Sequence, residues 1–212
     1  MTSKNTYRVG TDGTANYSSL SDIPSSVLAQ GDNTILVYPG VYTAPTDAVW
    51  NDVALVGVGD REEIVISGSM TIANTSTGTL SFENISFLGA NAVTTSDAVC
   101  VSKLGAASTP LHFRNCTFSN AEHAVRHHAT LAFATTTPQV VMTYCDASAV
   151  DQAIVANANV GVNWSALNAS SNAYFQPGTG GGAAALTVTV RASTSGGSNT
   201  GNNTETVLAL IS

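Results

Sequence analysis

Charged side chains are scarce in this chain: two lysines and five arginines stand against 14 acidic residues, and charge makes up 10% of 212 positions. An ordinary soluble domain carries about a quarter. No basic stripe exists, which excludes nucleic acid and anionic membranes as partners. The net charge of −7 favours solubility and selects no partner. Uninterrupted apolar runs long enough to cross a bilayer are missing. The opening residues, Met1-Thr2-Ser3-Lys4-Asn5, have no apolar segment of the signal-peptide kind, so synthesis in a cytoplasm is expected. Cysteine is limited to Cys100, Cys116 and Cys145. An odd count at wide spacing fits neither a disulfide framework nor a zinc motif, and reduced, buried thiols are the expectation. Aromatic residues are only 7%, so Val, Ile, Leu, Ala and a few Phe must build the core.

What remains is small and polar: 27 Thr, 23 Ser, 17 Asn and 18 Gly, beside 43% hydrophobic residues. That apolar fraction argues against disorder. Thr favours strands, while Asn and Gly favour tight turns, so the composition is all-β with many corners. The length suits one domain, or one domain with a small appendage.

A degenerate repeat organises the chain. Leu80-Ser81-Phe82-Glu83-Asn84-Ile85-Ser86-Phe87 matches Leu111-His112-Phe113-Arg114-Asn115-Cys116-Thr117-Phe118 at an offset of 31. A third copy, Val141 to Ala147, follows at 29 with Tyr144 in the Asn position, and Val53-Ala54-Leu55-Val56-Gly57 precedes the first by about 27. Two alternating strands joined at a bend, recurring at this period, are the mark of a solenoid. An antiparallel sandwich with similar-looking strands is the alternative. In a solenoid, Leu55, Phe82, Phe113 and Thr143 are expected to stack in register. Asn84 and Asn115, tolerant of left-handed corners, would form a ladder between turns. Cys116 and Cys145 would stack inward beside Ile85. Glu83 and Arg114, one turn apart, are expected to form a surface ion pair.

The two ends read differently. Tyr7-Arg8-Val9-Gly10, the loop Asp12-Gly13-Thr14, a helix-like segment from Tyr17 to Ala29, Ile35 to Tyr38, the turn Pro39-Gly40, then Val41-Tyr42 give the order strand, helix, strand, turn, strand. At the other end, Gln176 to Gly182 is a glycine-rich break. Leu186-Thr187-Val188-Thr189-Val190 and Val207-Leu208-Ala209-Leu210-Ile211 follow as apolar strands. We expect residues 1–175 to be the principal domain and 176–212 a hairpin that caps or oligomerises through Leu186, Val188, Val190, Val207, Leu208, Leu210 and Ile211.

The N-terminal order resembles the cap and first turn of the pectin-lyase-like superfamily, pectin methylesterases especially, over roughly residues 6–125. The resemblance implies a single-stranded right-handed parallel β-helix with a short N-terminal capping helix. It does not carry the chemistry over. The family's G-x-Y-x-E is Gly40-Val41-Tyr42-Thr43-Ala44 here, without the Glu. Its Gln-Ala-Val falls at Asp97-Ala98-Val99, and its N-C-x-F is matched by Asn115-Cys116-Thr117-Phe118. The stretch that supplies a catalytic acid falls on Glu122-His123-Ala124-Val125, and the second aspartate motif has no counterpart. De-esterification needs nucleophile, acid and oxyanion donors together. A fold retained for shape, with no catalytic residues, is therefore expected.

Glu122, His123, His127 and His128 are the one polar cluster with metal or acid–base composition. The four-residue spacing of His123 and His127 would suit a helical metal pair. The surrounding residues read as strand and corner, so a solvated polar face is expected, with no metal and no cofactor. Trp50 and Trp164 are read as packing residues rather than sugar platforms. The expected function is a structural virion protein, a decoration (cement) protein on a bacteriophage head, synthesised in a bacterial host cytoplasm. Its partners would be identical subunits, as a trimer, and the major capsid protein or another virion protein. A noncatalytic glycan-binding module and a small esterase or lyase are the alternatives.

Overall fold

The computed structural model describes residues 5–90, 98–104, 109–128, 140–156, 162–165, 168–169 and 189–191. The strands are Asn5–Val9 (β1), Asn33–Val37 (β2), Gly40–Thr43 (β3), Val53–Gly57 (β4), Ile64–Ser67 (β5) and Met70–Ile72 (β6). Leu80–Glu83 (β7), Ser86–Leu88 (β8), Val99–Leu104 (β9), Leu111–Arg114 (β10) and Thr117–His128 (β11) follow. Val140–Thr143 (β12), Asp146–Ala156 (β13), Val162–Ser165 (β14), Asn168–Ala169 (β15) and Thr189–Arg191 (β16) complete them. Every pairing among them is parallel. One sheet runs β1-β2-β4-β7-β10-β12-β14-β16, and a second runs β3-β5-β8-β11-β13-β15. A third run, β6-β9, joins the second sheet at β11. The chain is a parallel β-solenoid, and the sandwich alternative is excluded.

Strict alternation produces this arrangement. In β2, β4, β5 and β7 every second side chain is buried, as a period-2 apolar pattern demands when one sheet face turns inward. Stacking places like on like. Leu55 pairs with Phe82, Phe82 with Phe113, and Phe113 with Met142. Phe82 and Phe113 rings lie 4.9 Å apart at 12°, Phe87 and Phe118 rings 5.2 Å apart at 7°, and the two stacks meet edge to face. The fourth member of the row is Met142, not the expected Thr143. Thr143 pairs with Arg114 instead. A one-residue slip reverses every side chain across the sheet, and the buried partner must be the apolar Met142, which is 0% exposed.

Residues 10–32 connect β1 to β2. They hold a 3-10 turn at Leu20–Asp22 and a short helix, α1, at Ser25–Gln30. Pro24 precedes the helix, where a missing N–H costs nothing. Leu20, Ile23 and Leu28 join the solenoid core. The last carbonyls of α1 have no helical partner, and asparagines supply one: Asn33 Nδ2 donates to Val27 O, and Asn51 donates to Leu28 O from its backbone and to Ala29 O from its amide. At the far end, Thr189–Arg191 pairs in parallel with β14, so this part of the expected C-terminal hairpin extends the first sheet. Its other arm lies outside the described residues.

Candidate functional site

Two groups of polar side chains stand out, and both follow from stacking. The first is the corner after the first-sheet strands. Asn84, Asn115 and Tyr144 all have left-handed backbone, with φ of 58°, 52° and 55°. Asn pays little for that conformation because its short amide finds local partners. Asn84 Nδ2 donates to Gly57 O (3.2 Å) and Gly59 O (2.8 Å), and Asn115 Nδ2 donates to Asn84 Oδ1 (2.8 Å). Arg61 Nη1 donates to Asn115 Oδ1 at 3.1 Å, while its Nη2 and Nε reach Glu62. Outside this ladder Arg114 meets Glu83 at 3.2 Å, with both side chains largely in water. Such a pair contributes under about 1 kcal/mol.

The residue after each corner turns inward. Ile85, Cys116 and Cys145 are all buried. Cys116 Sγ lies 3.4 Å from Arg114 O and 3.5 Å from Phe82 O, and Cys145 Sγ lies 3.5 Å from Thr143 O. Burial pushes the Cys116 thiol well above its usual value. The Cys145 thiol is lowered instead, chiefly by its neighbour Cys116. The third thiol, Cys100, is raised to about 12 by burial.

The second group lies on β9 and β11. Glu122 Oε1 stands 3.8 Å from His123 Nε2, long for a hydrogen bond. His123 is 4% exposed and His127 0%. The expected solvated face is therefore an inward one, because His123 and His127 share the phase of Val125, which is also buried. Four strand residues span about 13 Å, so the two imidazoles cannot share one ion as they would on a helix. Among the described residues no three His, Cys, Asp or Glu side chains converge as a metal site. His127 Nε2 donates to Thr109 O at 3.0 Å. A carbonyl only accepts, which fixes the Nε2–H tautomer. His128 pairs with Leu104 at the end of β11.

Reasoning from the sequence missed the rest of this seam. Thr109 Oγ1 donates to Ser76 O (2.7 Å), and Ser76 Oγ accepts from Trp50 N (2.9 Å). Trp50, 1% exposed, is a core residue with no face for a sugar. Lys103 belongs to β9 and pairs with both His127 and Ile72. It is fully buried, and burial lowers its pKa. The alternation Val99, Val101, Lys103 carried that signal. Trp164 and Val190 pair with each other across β14 and β16. Leu186, Val188, Val207, Leu208, Leu210 and Ile211 lie outside the described residues, as does Asp97.

No protein-family model matches the chain, and neither a curated protein nor a solved structure matches it.

Proposed function

We propose that this chain is a noncatalytic structural protein of a particle surface, specifically a decoration protein on a bacteriophage head. The observation that carries the reading is how the solenoid uses its polar side chains. Asn84, Asn115, Ser76 and Thr109 bond one turn to the next, and Arg61 reaches Asn115 two turns on. One outward row on each sheet is short over three successive turns: Thr34, Ala54 and Ser81 on the first sheet, before His112, and Val65, Ser86 and Thr117 on the second. Short side chains on stacked parallel strands make a flat, stiff face suited to lying against another protein. The position that the pectin methylesterase resemblance gives to an acid is His123, directed into the core rather than toward a substrate.

The finer architecture belongs to the same proposal. The coil is right-handed, as parallel crossovers almost always are. Residues 10–32 close its N-terminal end, and residues 183–212 join identical subunits into a trimer. A closed three-fold ring fits a local three-fold position on an icosahedral shell, where one protein bridges several capsid subunits. Light scattering on the full-length chain and on a chain ending at residue 182 tests this. A trimer that becomes a folded monomer on truncation, and that no longer loads onto heads, is the expected result. A full-length monomer both free and on its particle, or a truncated chain that stays oligomeric, overturns it.

A further inference from the structure

The buried thiols of Cys116 and Cys145 have no part in the assembly reading, and their placement is independent of it. Arg114 pairs with Thr143 and Thr117 with Asp146. Counting inward from both sides sets Cys116 directly over Cys145 on the next turn. Two backbone bonds hold that superposition: Asn115 N to Thr143 O (2.9 Å) and Asp146 N to Cys116 O (2.8 Å). Neighbouring strands lie about 4.8 Å apart, inside the Cα separation of roughly 4.4–6.8 Å that a disulfide spans. Both side chains leave the corner in the same direction, into the core, where both are buried.

We propose that Cys116 and Cys145 are a modification site: a dithiol that a low-molecular-weight disulfide, of the glutathione disulfide class, converts to a disulfide joining two successive turns. Cys145 is the attacking group. The neighbouring Cys116 and, to a smaller degree, the Arg61 guanidinium both favour its thiolate. The reagent reaches it when the adjoining corner opens, beside Tyr144, which is 64% exposed. The Cys145 thiolate attacks one reagent sulfur, the reagent S–S bond breaks, and one thiolate leaves with the electron pair and takes up the Cys116 proton. The Cys116 thiolate then attacks Cys145 sulfur and expels the second thiolate, which takes up from solvent the proton that Cys145 released. Two protein thiols are oxidised and one reagent disulfide is reduced to two thiols. The product ties the turn β10–β11 to the turn β12–β13, and a dithiol reductant reverses it.

The test uses the full chain, exposed natively to glutathione disulfide, quenched in acid, and alkylated with N-ethylmaleimide in denaturant. The expected product has lost two hydrogens and takes one alkyl group, at Cys100, and peptide mapping finds Cys116 joined to Cys145. Cys100→Ser should retain the bridge, whereas Cys116→Ser and Cys145→Ser, each verified as folded by circular dichroism, should lose it. The oxidised parent and Cys100→Ser should resist higher urea than their reduced forms. Three alkylated thiols in the exposed parent, a bridge involving Cys100, or a glutathione adduct that persists on Cys145 of the parent would each overturn the assignment.

Discussion

Replacing Asn84 separates the two things its corner requires, a left-handed backbone and a bonded amide. Asn84 sits at φ 58° and takes part in three amide hydrogen bonds, to Gly57 O, Gly59 O and Asn115 Nδ2. Each bond contributes roughly 0.5–1.5 kcal/mol, at the lower end for a half-exposed side chain. Losing all three costs about 1.5–2 kcal/mol. Alanine adds a left-handed penalty of roughly 1–2 kcal/mol, partly offset by its smaller unfolded-state entropy relative to glycine. Asn84→Ala should therefore lose about 2.5–4 kcal/mol, and Asn84→Gly less, by about 0.5–1 kcal/mol. Near the midpoint each kcal/mol moves Tm by about 2–4 °C in a chain of this size. Thermal and urea melts followed by far-ultraviolet circular dichroism give the order parent, Gly, Ala. In the Asn84→Ala background, Asn115→Ala should cost less than it does alone, because the 2.8 Å bond is already gone. An alanine variant as stable as the glycine one, or additive effects at the two asparagines, would refute the ladder as a stabilising device.

Tyr144→Asn should extend the ladder, raising stability by about 0.5–1 kcal/mol in the same melts, since the exposed ring occupies a left-handed position at φ 55°. Gly57→Ala should destabilise by at least about 2 kcal/mol, because its Cβ would stand 2.0 Å from Asn84 O, a backbone atom that cannot turn aside. His112 is half-buried in an outward row between Ser81 and Val141, and burial holds its pKa below the usual 6.5. The unfolded chain then binds the proton first, so this contribution is complete above pH 6.5 and is lost as pH falls through 6.5 toward the folded value. Urea midpoints should drop over that interval, and His112→Gln should flatten the slope. On methylated polygalacturonate the chain should show no turnover that Glu122→Ala or His123→Ala removes.

The sequence was most readable where one rule governs a position. Alternation fixed the strands around Phe82 and Phe113, and the pair Asn84 and Asn115 marked a corner because few other residues accept that backbone. It was misread where two turns of different length meet. The offset of 29 that puts Tyr144 in the Asn position also puts Met142, not Thr143, beneath Phe113, and the structure follows that offset. His127 was misplaced for another reason. Polarity suggests water, yet strand phase decides direction, and both it and Lys103 continue an inward row begun by apolar residues. The Ser76–Thr109 contact joins residues 33 apart in sequence through a side chain and a carbonyl, with no pattern to announce it. The helix could be read only as a helix-like segment from Tyr17 to Ala29, around the observed Ser25–Gln30. The asparagines that terminate it, Asn33 and Asn51, act across the first turn, where only the fold reveals them.

The central claim is that this solenoid serves assembly. Cryo-electron microscopy of purified particles from a host culture producing the chain tests it most directly. The account predicts trimeric β-solenoid density at local three-fold positions on the outside of the head, its flat sheet face against the capsid subunits. Particles that lack the chain, or density that places it as a monomer away from the shell, would contradict it.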